Sequence, residues 1–208
     1  MGVRIELWSD GSGTTSGPGG WAYVLRAINT ITGEVLDQRE GSGGMLEATN
    51  NRAELTAVLM GLTQLTKPAE VHVFSDSEYV VNAVAKGWLR KWADNGWQKS
   101  SKPKPDDFML ECPVCFKPTD DDVCVYHGHD DGRPGPVATV TRTSTKHVVN
   151  RDLWIEMLAA SSVHRLHFNH VPGHAGVELN ERCDTLAGDA RRAVIERLAP
   201  VLGESAEG

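Results

Sequence analysis

Two short runs constrain the fold of this chain more than any other feature. RIELWSD, residues 4–10, and EVHVFSD, residues 70–76, alternate apolar and polar side chains and then deliver an aspartate. A period of two is that of a strand with one buried face. A single acid at a strand end is ordinarily a cap or turn residue. The repetition, with Asp10 after strand 3–9 and Asp76 after the second run, marks these two carboxylates for closer attention.

The remaining pattern fills in around them. WAYVLRAIN and VLDQREGSG read as two further strands joined by a turn at Thr32-Gly33, so the first three strands form a meander. In TNNRAELTAVLMGLTQL the residues Leu55, Val58, Leu59, Leu62 and Leu65 recur at helical spacing, with Thr49 or Asn50 as the cap. SEYVVNAVAKGWLRKW is helical in pattern and broken at Gly87, NRDLWIEMLAAS is helical, RLHFNHV is a strand, and a long amphipathic helix covers about 178–199. From about 101 to 146 no period is sustained, and this segment reads as an insertion. The expected domains are therefore 1–100 with 147–199, the insertion 101–146, and a tail 200–208. Strands mixed with helices give an α/β, mixed-sheet domain.

Net charge is −7, but the total hides a local asymmetry. Residues 86–104 carry six Lys/Arg (Lys86, Arg90, Lys91, Lys99, Lys102, Lys104) against Asp94 alone, while 105–136 carry eight acids against Lys117 and Arg133. A basic stripe thus abuts an acidic segment, and the overall sign does not exclude a polyanionic partner. No apolar run approaches the roughly 18 residues of a membrane span, and the first residues lead straight into a strand. The expectation is a cytoplasmic protein with no membrane partner.

Two more acids occupy comparable positions. Glu54 lies in the first turns of the first long helix, beside Leu55, and Asp184 lies near the start of the last helix in NERCDTLAG. Carboxylates brought together repel unless protonated or neutralised by a cation. Mg²⁺, which prefers oxygen ligands, is the natural neutraliser, with Mn²⁺ as the alternative; two such ions suit phosphoryl chemistry.

The motifs SDGSG with PGGWA, TNNRAELTAV, FSDSEYVVNA, GWLRKWADNGWQK, NRDLW and VPGHAGVELNERCDTLA, in this order, resemble type 1 ribonuclease H. The resemblance covers most of 1–100 and 147–190. It implies a ribonuclease H-like five-stranded mixed sheet, an antiparallel meander plus parallel strands, flanked by helices. It implies an endoribonuclease that hydrolyses the RNA strand of RNA/DNA hybrids, leaving 5′-phosphate and 3′-hydroxyl ends. Asp10, Glu54, Asp76 and Asp184 match the metal-binding carboxylates, and His174 matches a mobile histidine that assists proton transfer or product release. Ser12, Gly13, Thr49, Asn50, Asn51, Arg52 and Glu78 match substrate-contacting positions, although many members carry Gln where Glu78 stands. Trp88, Lys91, Trp92 and Lys99 match a basic protrusion that grips the DNA strand. The alternatives are a hybrid-binding module without catalysis, or another nuclease of the same fold. A monomer is expected.

The insertion has a pattern of its own. CPVCFKPTDDDVCVYHGH places Cys112 and Cys115 as C-x₂-C, and Cys124 with His127 as C-x₂-H, with His129 competing for the fourth position. Two such pairs can close a tetrahedron around a structural Zn²⁺. A small zinc knuckle is the expectation here, against an acidic loop with three free thiols.

Overall fold

A computed structural model describes residues 2–99, 108–111, 118–119, 138–141 and 146–203. The strands are β1 (Val3–Ser12), β2 (Gly19–Asn29), β3 (Val35–Met45), β4 (Glu70–Ser75), β5 (Gln98–Lys99), β6 (Phe108–Glu111), β7 (Pro118–Thr119), β8 (Ala138–Thr141), β9 (Lys146–His147) and β10 (Arg165–His170). The helices are α1 (Asn50–Leu62), α2 (Glu78–Ala85), α3 (Trp88–Asp94), α4 (Arg151–Val163) and α5 (Glu178–Gly203). The chain divides into two compact units, Met1–Asp94 with Val149–Gly208, and Asn95–Val148.

The larger unit is built on a five-stranded sheet of order β10-β4-β1-β2-β3. β1, β2 and β3 form an antiparallel meander, and β4 and β10 add parallel to β1 and to each other. Helix α1 buries Ala53, Leu55, Val58, Leu59 and Leu62. Helix α5 buries Leu179, Cys183 and Ala187, and Leu179 and Cys183 cluster with Val24 of β2. Burial also pushes the Cys183 thiol well up, which leaves it a packing group and not a nucleophile. The α2–α3 break falls at Gly87, whose φ of 69° is left-handed.

Strand β1 does not stop at Asp10. Its pairing with β4 ends at Trp8↔Phe74, but its pairing with β2 continues through Asp10↔Ala22 to Ser12↔Gly20. Asp10 therefore still pairs in one ladder while lying two residues past the end of the other. The glycines that hide this extension from a pattern search are the ones that permit it. A Cβ on Gly11 would lie 2.2 Å from the backbone N of Glu54, so only glycine lets α1 lie this close to β1. The C-terminal boundary also differs: α5 continues through Pro200 to Gly203, into the expected tail. Proline forfeits one hydrogen bond, a loss the last turn of a long helix can bear.

In the smaller unit β5 pairs antiparallel with β9, and Val148 N donates to Trp97 O at 3.0 Å. The two chain segments that enter and leave the insertion are thus hydrogen-bonded to each other, and the unit begins at Asn95, ahead of the sequence-based boundary. β7-β6-β8 form a second small antiparallel sheet. Runs as short as FMLE and ATVT show no sustained period, so nothing in their pattern marks them as strands. Cys112, Cys115, Cys124, His127 and His129 lie outside the described residues.

The packing of α5 on β2 makes a testable demand. A Cβ on Gly20 would stand 2.1 Å from Ala187 O and 2.7 Å from Arg191 N, both backbone atoms. Gly20→Ala is expected to cost about 1–3 kcal/mol as an overpacking change. Urea unfolding of the two proteins measures it, and equal stability would show that α5 is less tightly seated than described.

Candidate active site

Three acids from three different elements converge. One carboxylate oxygen each of Asp10 (β1), Glu54 (α1) and Asp76 (directly after β4) lies within 4.8 Å of the others. Asp10 is 7% exposed and Glu54 4% exposed. Gly11 N donates to Asp10 Oδ1 at 2.7 Å, and Asn50 Nδ2 donates to Glu54 Oε1 at 3.3 Å, but Glu54 Oε2 has no hydrogen-bond partner among the described residues. Such crowding has a price in protonation. Asp10 is pushed up to about 7 from an ordinary 3.8, by burial first and the Asp76 charge second, with Asp184 adding to it and Gly11 N–H and His174 opposing. Glu54 is raised well above its ordinary value by burial, Asp10 and Asp76.

An all-oxygen donor set in which buried Asp10 and Glu54 resist ionisation, with one Glu54 oxygen unmatched, fits a hard divalent cation. Asp184, on α5, stands outside the tight cluster and is about half exposed. Its Oδ2 is 3.8 Å from His174 Nδ1, and the His174 side chain is 82% exposed. His174 has a left-handed backbone, φ 51°, a conformation uncommon outside glycine and frequent at functional loops. Gly176 N donates to Glu181 Oε1 at 2.8 Å, which ties this loop to the first turns of α5.

The expected substrate positions are placed less uniformly. Thr49 caps α1, its Oγ1 accepting from Arg52 N at 3.3 Å. Asn50 is committed at both ends, since Oδ1 accepts from Gly13 N at 3.1 Å while Nδ2 holds Glu54. Ser12 and Gly13 are half-buried at the end of β1, and Asn51 and Glu78 are exposed. Arg52 is engaged in the scaffold: its guanidinium forms a two-pronged ion pair with Asp152 of α4, at 3.0 and 2.5 Å. That geometry makes Arg52 a joint between α1 and α4. Trp92 packs edge-on against the fully buried Trp154, whose Nε1 donates to Tyr79 Oη at 2.8 Å. Trp88 lies 6.2 Å from Trp92 and carries Lys86 over its ring, while Lys91 is exposed on α3. Lys99 is exposed in β5 and belongs to the smaller unit.

Sequence reading missed two neighbours of Asp76. Asn180, 2% exposed, donates Nδ2 to Asp76 Oδ2 at 3.3 Å, and His170 Nε2 lies 3.2 Å from the Asp76 backbone oxygen. Asn180 precedes Asp184 by four residues and so shares its helix face, a position that becomes telling only once its burial is known.

A mixed sheet that presents clustered carboxylates where two ladders part, beside a helix start, defines a metal-dependent enzyme of phosphodiester chemistry. The family model described as RNase H matches residues 3–134 and 136–192. Ribonuclease H of Oleidesulfovibrio alaskensis is 34% identical over 191 residues, covering 91% of this chain and 92% of that protein. Ribonuclease H of Thermoanaerobacter pseudethanolicus is 35% identical over 184 residues, covering 88% and 86%. Among solved structures, LC9-RNase H1, a type 1 RNase H with the type 2 active-site motif, superposes with a TM-score of 0.62 at 21% identity, over 91% of this chain and 72% of that one. LC11-RNase H1 in complex with an RNA/DNA hybrid gives 0.50 at 19% identity, over 92% and 99%. The chain belongs to the RNase H family.

The raised Asp10 fixes a pH dependence. Because the folded pKa near 7 exceeds the ordinary 3.8, the folded state holds an extra proton between those values. The associated stability is complete below about 3.8 and is lost as pH rises through about 7. Cation-free protein is therefore expected to lose thermal stability across this window, and Asp10→Asn should lose less. Melting scans of both proteins with a chelator present measure the difference, and identical pH profiles would contradict the shift.

Proposed function

We propose that the protein hydrolyses the RNA strand of RNA/DNA hybrids, leaving 5′-phosphate and 3′-hydroxyl ends, with two divalent cations, Mg²⁺ or Mn²⁺, held by Asp10, Glu54, Asp76 and Asp184. Membership of the family makes it a ribonuclease H, a metal-dependent endonuclease. The observation that carries the finer reading is the convergence of Asp10, Glu54 and Asp76 in a setting that keeps Asp10 and Glu54 from ionising alone. Bound cations of this type supply charge stabilisation in the transition state and a more acidic attacking water.

The protein's own groups divide the remaining tasks. Asp10 and Glu54, on rigid elements, would hold the cations as carboxylates, so binding would be favoured as pH rises. His174, on the exposed loop before α5, is placed to hold or pass a proton at Nδ1 beside Asp184, and to leave with the product. Asn51, with Thr49 and Asn50 when they release their internal partners, offers donors and acceptors suited to the 2′-hydroxyls that distinguish RNA from DNA. Lys86, Arg90 and Lys91, clustered in sequence around α3, supply sequence-independent attraction for a phosphate backbone. Lys99, in the smaller unit, is proposed as a phosphate contact by its resemblance alone. Support for the substrate comes from the RNA/DNA hybrid bound to LC11-RNase H1, a protein sharing this fold. Among the described residues no helix is long and apolar enough to cross a membrane, and a cytoplasmic monomer is the accompanying reading. For the insertion we retain, on spacing, a structural Zn²⁺ held by Cys112, Cys115, Cys124 and His127, with His129 as the alternative fourth ligand.

Asp10→Asn and Asp76→Asn are expected to abolish cleavage of a labelled hybrid while retaining hybrid binding, because amides are poor ligands for Mg²⁺ but keep the side-chain shape. His174→Ala should slow turnover without abolishing it, since water can replace a proton carrier. Full activity of either aspartate variant, assayed with and without Mg²⁺, would defeat the metal reading.

Removing Lys91 should weaken hybrid binding and reduce the slope of log affinity against log salt by about one unit or less. An unchanged slope would show that α3 does not reach the backbone.

Protein purified without added zinc should carry about one Zn²⁺ per chain, lost in the Cys112→Ser, Cys115→Ser double variant. A zinc-free wild type whose insertion thiols react freely would dispose of the knuckle.

A further inference from the structure

Asn180 is costly where it stands. It sits in the first turn of α5 at 2% exposure, beside buried Leu179 and three residues before buried Cys183. Its Nδ2 reaches Asp76 Oδ2, but its Oδ1 has no hydrogen-bond partner among the described residues. The amide cannot profitably be reversed, because that would set its oxygen against a carboxylate. A buried unmatched carbonyl is unfavourable, and an apolar residue would cap this part of the core better. Stability does not account for Asn180.

Asp76 has need of support. It follows the last residue of β4, it is the least buried of the three converging acids, and its backbone oxygen is met by His170 Nε2 at 3.2 Å. The oxygen that Asn180 holds is also closely approached from the loop ahead of α5. A Cβ on Gly173 would lie 2.6 Å from Asp76 Oδ2 and 3.5 Å from its Cγ. Oδ2 is thus enclosed by an amide on one element and bare backbone on another, and Gly173 immediately precedes His174.

We propose that Asn180 and the Gly173 backbone are positioning elements for Asp76: they fix the rotation of its carboxylate, and with it the oxygen offered to the cluster of Asp10 and Glu54. The same contacts link the seat of His174 to that of Asp76, so the loop and the carboxylate are set together. This inference rests on the reading that the cluster holds divalent cations.

The experiment titrates Mg²⁺ against thermal stability and binding heat, so it does not depend on turnover. Cation-free Asn180→Ala should melt close to wild type, because the substitution removes an unmatched oxygen along with one hydrogen bond. Its half-saturating Mg²⁺ should rise about tenfold or more, the usual scale for losing a partner of a metal ligand. A half-saturation within about twofold of wild type in folded Asn180→Ala overturns the inference. If Asn180→Ala does not fold, Gly173→Ala decides by the same criterion, since its Cβ would displace Oδ2. A wild type that shows no response to Mg²⁺ overturns the metal reading and this inference with it. A normal wild-type response left unmoved in the variant overturns the inference alone.

Discussion

The structure depends on holding Asp10, Glu54 and Asp76 together against their mutual repulsion. Burial makes that repulsion worse, because it removes the water that would screen it. The fold meets the difficulty by drawing each acid from a different place, Asp10 from β1, Glu54 from α1 and Asp76 from the residue after β4. Gly11 allows α1 to lie against β1, and Asn50 bridges the two by accepting from Gly13 N while donating to Glu54. The cluster is thus a strained arrangement with a built-in appetite for positive charge, supplied by protons in the absence of a cation.

Support for that arrangement extends well beyond the acids. The Arg52–Asp152 pair fastens α1 to α4, and Tyr79, Trp154 and Trp92 link α2, α4 and α3 through one hydrogen bond and two edge-on ring contacts. Residues that resemble substrate contacts also serve the scaffold, Arg52 through Asp152 and Trp92 through Trp154. Asn51, Glu78, Lys91, Lys99 and His174 are left exposed.

Much of this was legible in the sequence for an identifiable reason. Asp10 and Asp76 followed alternating runs, and Glu54 lay beside the apolar stripe of a long helix, so periodicity alone drew attention to them. Their convergence was not legible, because it depends on pairing β1 with β4 and on the depth to which α1 sinks. The extension of β1 to Ser12 was hidden by SDGS, which carries no apolar alternation although β2 pairs with it throughout. Asn180 was hidden differently. A single polar residue inside a mostly polar helix gives no signal until its burial is known. The strands of the insertion were too brief to register as a period, and Arg52 looked free because its partner is a hundred residues away.

The pairing of β5 with β9 has a consequence for how such a chain could arise. Gln98 faces His147 and Lys99 faces Lys146, so the long excursion departs and returns through adjacent positions. Within the smaller unit its two ends are held together by this pairing. Closing a longer excursion at such a neck adds only a slowly growing entropic penalty. Evolution could therefore lengthen, exchange or delete the segment while the carboxylate-bearing elements kept their register, and a designer could graft a foreign module at the same two residue pairs.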